Sequence, residues 1–322
     1  MSSSRQLVRK SLATTLDHIV RVGILRDALE AALIRLGHCF PRSGLIDVSS
    51  YHLASALGRE FPNERTRVAT LDGELHLVVT LRDYFHRHLY FTGEYEPETT
   101  RLLLKIVRPA DVVFDIGANI GYFTALAASR GAVVHAFEPN DAMADQLERT
   151  ISLNRFDQRV TLNRTAVAGT DGTASLFLSP DVNNSGLSSL VNLHHLGEPV
   201  RVEVPTVRLD NYCRTHEVAK LRLMKIDVEG AESHVFAGAQ DVLRRVQPEV
   251  IICELGGCDG GSQADQIRDV LSDADYVPFL ITHRGLQPIF DEQVFESRSK
   301  AQLPPNVCFL RRGSDAQREL VG

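Results

Sequence analysis

The 322-residue chain has no tryptophan, three methionines and five cysteines. Cys39, Cys213, Cys253, Cys258 and Cys308 are odd in number, and no two stand in CxxC spacing. That argues against a disulfide framework or a zinc ribbon and fits a reducing cytoplasm, the expected location. Long hydrophobic runs are missing too. Stretches such as Ala31–Ile34 and Val250–Cys253 fall far short of the ~20 residues of a membrane span, so no span is expected. The polar, basic start, Met1–Lys10, is not followed by the apolar core and cleavage site of a secretory signal. An excess of basic charge is also absent. Lys and Arg number 35 against 41 Asp and Glu, a net charge of −6, which is the wrong sign for a polyanion-binding protein. No nucleic-acid partner is therefore expected. With 22 Gly, 13 Pro and 43% hydrophobic residues, collagen-like and wholly disordered readings are excluded.

What is present is ordered in three stretches. Residues 1–65 read as a helical extension. Leu12, Leu16, Ile19 and Val20 form one stripe, and Leu25, Leu29, Ala32, Leu33 and Leu36 form another, ended by Gly37 and Pro41. Residues 1–45 carry seven Arg or Lys against three acids. Such a helix either packs on its own domain with a solvated basic face, lies on a membrane surface, or pairs with a second copy. A homodimer through these helices is the expected oligomer. Residues 66–100 then read as a β-hairpin, with turn Asp72-Gly73, and an approach segment.

From residue 101 onward, strand and helix patterns alternate. Val112–Asp115, Val133–Phe137, Val160–Ala166, Leu221–Ile226, Val250–Glu254, Val277–Ile281 and Val307–Leu310 read as strands, with helices over Tyr122–Ser129, Asp141–Leu153, Ala231–Val246 and Gln263–Ser272 between them. This alternation predicts an α/β fold, a Rossmann-like, doubly wound, mainly parallel sheet with helices on both faces, filling residues 101–322. Residues 174–206 interrupt the rhythm and read as an inserted β-arm and loop over the carboxyl edge of the sheet.

The most informative segment is Asp115-Ile116-Gly117-Ala118-Asn119-Ile120-Gly121-Tyr122, which follows a buried strand and opens a helix. It fails the dinucleotide pattern G-x-G-x-x-G, because Asn119 and Tyr122 stand at the second and third glycine positions. No Walker loop is present either. An acid at a strand tip repels a pyrophosphate but attracts a cation. S-adenosylmethionine (SAM) carries a sulfonium and an ammonium, and Asp115 suits the ammonium. Glu138 follows 23 positions later, at the tip of the second strand, where this architecture puts an acid on a ribose. Pro139 and Asn140 complete that tip, and Asn140 is expected to border the adenine by position alone. Asp115, Gly117, Asn119, Gly121, Tyr122, Glu138, Pro139 and Asn140 are the predicted cofactor residues.

These segments resemble the class I SAM-dependent methyltransferases, and specifically the FkbM family. Gly93-Glu94-Tyr95-Glu96-Pro97-Glu98-Thr99 and the family-specific Met224-Lys225-Ile226-Asp227-Val228-Glu229-Gly230-Ala231-Glu232 carry the rest of the likeness, which covers roughly residues 75–312. The resemblance implies a seven-stranded sheet with one antiparallel strand. It also implies methyl transfer, usually to a hydroxyl of a sugar, a lipid-linked glycan or a polyketide-type metabolite. It implies an approach segment running past the methionine end of SAM, so that Glu96 joins Asp115 at the ammonium. The polar Ser233-His234 pair departs from the family pattern.

A hydroxyl acceptor is a weak nucleophile and gains from a general base or a metal ion. Asp227 ends the fourth strand, and Glu229 follows at a spacing that can turn both the same way. One of them is the expected base, and Asp227 also borders the cofactor. His194 and His195 in the inserted loop are further candidate bases. With Glu254 at the end of the fifth strand, Asp227 and Glu229 form the candidate set for a divalent metal. Glu232 reads as a helix-start acid, and Lys225 as a partner for an acid such as Glu254. Two other functions remain open at this level. One is N-methylation of a peptide or amine. The other is non-catalytic nucleoside binding.

Overall fold

A computed structural model describes residues 26–40, 66–71, 74–179, 185–192, 200–255, 262–289 and 306–321. The chain divides into two compact units, residues 1–96 with 181–185, and residues 97–180 with 186–322.

The first unit holds helix α1 (Arg26–Cys39), strands β1 (Thr66–Leu71) and β2 (Leu75–Thr80), and helix α2 (Tyr84–Thr92). The two strands pair antiparallel, from Thr66 opposite Thr80 to Leu71 opposite Leu75, so the hairpin forms as expected. Its turn, Asp72-Gly73, lies outside the described residues, as do the helical stripe upstream of Leu25 and Leu25 itself. Asp83 caps α2 by accepting from the His86 amide, and Gly93 ends it at φ 70°. The stripe expected on α1 is rotated. Glu30, Leu33 and Gly37 are its buried positions, while Ala32 and Leu36 are exposed. Glu30 takes the inner face because its carboxylate accepts from the Tyr90 hydroxyl at 2.7 Å and from Arg67 at 3.3 Å. A buried acid is tolerated where it is hydrogen-bonded and paired.

The second unit runs α3 (Pro97–Ile106), β3 (Val112–Ile116), α4 (Tyr122–Ser129), β4 (Val133–Phe137), α5 (Asp141–Leu153), β5 (Val160–Asn163), β6 (Ala166–Val167), β7 (Gly172–Leu178), β8 (Val200–Val207) and α6 (Leu209–Thr215). It continues with β9 (Leu223–Ile226), α7 (Glu232–Ala237), β10 (Val250–Glu254), α8 (Ser262–Asp273), β11 (Tyr276–Thr282), β12 (Gly285–Pro288), β13 (Asn306–Arg311) and α9 (Asp315–Val321). The main sheet has the order β12-β11-β13-β10-β9-β3-β4-β5. β10, β9, β3, β4 and β5 run parallel to one another, and β13 runs antiparallel between β10 and β11. The expected seven strands, one of them antiparallel, are therefore present, and the short β12 adds an eighth as an antiparallel edge. The central strands are covered on both faces and read as continuous apolar runs. Leu223, Met224 and Ile226 of β9 and Val250–Cys253 of β10 are fully buried.

Two expectations need correction. The strand expected over Val160–Ala166 is two strands, because the chain leaves the main sheet after Asn163 and β6 joins a separate sheet of order β6-β8-β7. That second sheet is the inserted arm, with β7 and β8 antiparallel from Gly172–Thr206 to Leu178–Val200. The long helix expected over Ala231–Val246 is broken into α7 and a π-helical turn, Val242–Val246. Gly238 lies at the break, packed so closely on Ala168 that a β-carbon would stand 2.1 Å from its carbonyl oxygen.

At the amino-terminal end of β9, Arg222 is buried and gathers carboxylates. It pairs with Glu249 at 2.7 Å and with Glu319 of α9 at 3.0 Å. On one face of the sheet, His135 Nδ1 meets the Tyr212 hydroxyl at 2.7 Å, and Tyr212 stacks on His216 with ring centroids 3.9 Å apart.

Candidate active site

Strand order reverses at β3. β4 and β5 extend the sheet on one side, and β9 and β10 on the other. Ligands of open α/β sheets bind beyond the carboxyl ends of the strands at such a point. The glycine turn of residues 117–121 leaves β3 there. Gly117 has φ 83°, and Gly121 has φ 88° with a virtual β-carbon 2.2 Å from Leu147 Cδ1, so both positions demand glycine. Asn119 adopts the left-handed conformation at φ 50°, and its side-chain oxygen accepts from the Ile120 amide.

Asp115 is 2% exposed. Its Oδ2 accepts from Thr124 Oγ1 at 2.6 Å, while its buried Oδ1 has no hydrogen-bond partner among the described residues. Burial raises its pKa against the pull of Lys225 and Thr124. An orphaned buried carboxylate oxygen is costly, and a cationic, hydrogen-bond-donating ligand group satisfies it. An ammonium fits that description.

Glu138 is buried at the tip of β4. Its Oε2 accepts from the Asn119 amide and its Oε1 from the Asn140 amide, both at 2.8 Å. Pro139 has no N–H, so the next free amide, that of Asn140, makes the bond. These two bonds orient the carboxylate and leave lone pairs on each oxygen for further donors. Burial pushes its pKa up to about 7, partly offset by the two amides. The Asn140 side chain accepts from the Ala142 amide and caps α5. Tyr122 is turned into the contact between α3 and α4, where its hydroxyl bonds Thr100 at 3.0 Å. Glu96 closes the first unit at φ 41°. His194 and His195 lie outside the described residues.

At the end of β9, Asp227, Glu229 and Glu254 each bring one carboxylate oxygen within 4.8 Å of the other two. The strand register explains this meeting. Lys225 lies beside Asp115 on β3 and beside Ile252 on β10, so two residues further along, Asp227 and Glu254 share the same face. Glu229 reaches the cluster through a tight turn in which it holds φ 53°, followed by Gly230 at φ 92°. Burial would raise the Asp227 pKa, but the Lys225 ammonium at 2.8 Å holds it below the usual carboxylate range. Glu254 is pushed up to about 10, first by burial and then by the charges of Asp227 and Glu229, and its carboxyl group hydrogen-bonds Asp227. The expected partner of Lys225 is therefore corrected from Glu254 to Asp227. Three oxygen donors of this kind suit a hard divalent cation in type, although Asp227 already gives one oxygen to Lys225. Glu232 accepts from the Gly230 amide at 3.1 Å, the helix-start role read from its position.

The sequence reading missed two contributors, Thr124 and Ser189, and the partner of a third, Lys225. Thr124 orients Asp115, and Lys225 holds Asp227 with its ammonium 4.4 Å from the Phe123 ring centre. Ser189 of the inserted arm donates to the Val228 carbonyl at 3.2 Å, so the arm is fastened to the acid segment. Alternation along β9 puts Lys225 on the face of Asp227 and was readable. The other two join distant segments and carried no local signal.

An acid and glycine turn on β3, a buried acid on β4 and acids on β9 and β10 around one switch point define a Rossmann-like α/β protein of the SAM-dependent methyltransferase class. A family model described as the methyltransferase FkbM domain matches residues 115–278, a little over half of the 322 residues. The chain belongs to this FkbM family of SAM-dependent methyltransferases. It is 32% identical over 177 residues to the 31-O-demethyl-FK506 methyltransferase FkbM of Streptomyces tacrolimicus, covering 45% of this chain and 66% of that protein. It is 29% identical over 179 residues to the hexuronic acid methyltransferase AglP of Haloferax volcanii, covering 56% of this chain and 69% of that one. A solved SAM-dependent methyltransferase from Agrobacterium tumefaciens aligns over 77% of this chain and 71% of its own, at 9% identity and a TM-score of 0.40.

Proposed function

We propose that this protein transfers a methyl group from SAM to a hydroxyl of a sugar, a glycolipid or a polyketide-type metabolite. The observation that carries the reading is Asp115, whose buried oxygen lacks a partner at the end of the strand that opens the glycine turn. In this reading Asp115 holds the ammonium end of SAM. Glu138 accepts from the ribose hydroxyls, and Gly117, Asn119 and Gly121 let the main chain approach the ligand. SAM supplies a methyl group activated by its sulfonium. Asp227 and Glu229 attend the acceptor hydroxyl, orient it toward that methyl and take its proton, one of them as the base. The hydroxyl acceptor is supported by two relatives, one a 31-O-demethyl-FK506 methyltransferase and the other a hexuronic acid methyltransferase.

Titration calorimetry with SAM and S-adenosylhomocysteine tests the cofactor. Absence of binding by both at high micromolar concentration overturns the proposal. A labelled-methyl assay on Asp227→Asn and Glu229→Gln tests the chemistry. Turnover is expected to fall at least a hundredfold while S-adenosylhomocysteine still binds. The reading also includes a reducing cytoplasmic setting, supported by four described cysteines that are free thiols. A homodimer through the N-terminal helices is part of it as well, supported by exposed Leu36 and Phe40 on and beside α1.

A further inference from the structure

Three carboxyl groups within 4.8 Å of one another repel when ionised, and a cation beside them relieves that repulsion. The usual solution at a strand end is a divalent ion with six or more oxygen ligands. This chain brings a second one, in its own sequence. Lys225 is 2% exposed, and its Nζ stands 2.8 Å from Asp227 Oδ2. The ammonium also stands 4.4 Å from the Phe123 ring centre, within cation–π range. The register puts Lys225 between Asp115 of β3 and Ile252 of β10. Its side chain is therefore buried against the helix that covers the sheet, where Phe123 lies, rather than laid over a surface. A carboxylate and a π face therefore meet the same buried Nζ from two sides.

We propose that Lys225 is the resident cation of the Asp227–Glu229–Glu254 cluster, doing with an ammonium what a divalent metal would otherwise do. This deepens the functional reading above and rests on it for the role of the cluster at the acceptor. The ammonium occupies one oxygen of Asp227. A metal ion on the same three carboxylates would share that residue with a fixed positive charge, and the two cations would repel each other. Lys225 is thus a positioning residue. It sets where the Asp227 carboxylate points and supplies the charge that lets three acids meet at one strand end. Methyl transfer by this chain then requires no added metal.

The test is a titration of the full chain with manganese chloride, read by calorimetry and by the electron paramagnetic resonance signal of free Mn2+. The chain with its own sequence is expected to bind Mn2+ at this site no tighter than millimolar. Lys225→Met is expected to bind it at least tenfold more tightly, and adding Glu254→Gln to that variant should remove the gain. Micromolar Mn2+ binding by the unaltered chain, or no gain in Lys225→Met, overturns the proposal. If Lys225→Met fails to fold alone, refolding in millimolar Mn2+ reads the same gain. Rescue supports the proposal and failure of rescue overturns it. A merely structural lysine would not raise metal affinity when removed. S-adenosylhomocysteine binding, measured on the same samples, separates failure of this idea from failure of the cofactor assignment.

Discussion

A β-carbon on Gly117 would stand 1.8 Å from the main-chain oxygen of Asp227. The glycine turn after β3 and the acid segment after β9 are thus in direct backbone contact, and the cofactor and acceptor ends of the proposed site share one wall. The Asp227 amide donates back to Ile116, which closes the contact.

Gly117→Ala therefore meets both a clash with backbone and a left-handed φ of 83°. The expected cost is about 3 kcal/mol of stability, in the range of strained-backbone substitutions. S-adenosylhomocysteine binding should be lost as well. Urea denaturation and calorimetry check it, and near-native values in both would show that the contact is not rigid.

Asp115→Asn keeps an acceptor for Thr124 and removes a buried negative charge with an unpaired oxygen. The unliganded variant should be at least as stable as the parent. Its affinity for S-adenosylhomocysteine should fall tenfold or more. Thermal melts with and without ligand separate the two effects.

Cofactor affinity should depend on pH through Glu138. Its pKa is raised to about 7, so it is ionised above that value and protonated below it. Ribose hydroxyls donate to the ionised form. Binding is therefore full above pH 7 and falls by up to about tenfold per unit as the pH drops below it. Calorimetry from mildly acid to mildly alkaline pH should show this limb, and Glu138→Gln should bind weakly with the limb gone.

Stability has an acid limb of another origin. Burial, helped by the neighbouring His216, lowers the His135 pKa below its ordinary 6.5. As the pH falls through 6.5 the unfolded chain takes up the proton first, so stability is complete above that value and is lost progressively below it. His135→Gln, whose amide does not titrate, should flatten this part of a stability-against-pH curve.

Arg222→Ala removes the shared partner of Glu249 and Glu319 at the end of the sheet away from the site. The expected loss is about 3 kcal/mol, the cost of leaving Glu249 without its cation, while Glu319 keeps Arg108 at 2.8 Å. S-adenosylhomocysteine affinity measured below the melting range should stay within threefold.

Much of the site was legible because its signals are local. Asp115, Gly117, Gly121 and Glu138 lie at strand tips, where a turn and a charge declare themselves within a few residues. Asp227 and Glu254 were legible for the same reason, each closing a mainly apolar run, and Glu229 by its spacing from Asp227. α1 was less legible, because leucine spacing predicts a face while the Glu30 contacts to Tyr90 and Arg67 decide it.

The amino-acid order alone determined the alternation of strand and helix, the glycine turn and the acids at the strand ends, because these depend on neighbours along the chain. Which acids meet, and what neutralises them, was decided only when β3, β9 and β10 lay side by side. Register then brought Glu254 to Asp227, and packing of the arm brought the Ser189 hydroxyl to the Val228 carbonyl. Contacts between segments far apart in the chain are set by packing the whole sheet, and no short stretch of sequence contains them.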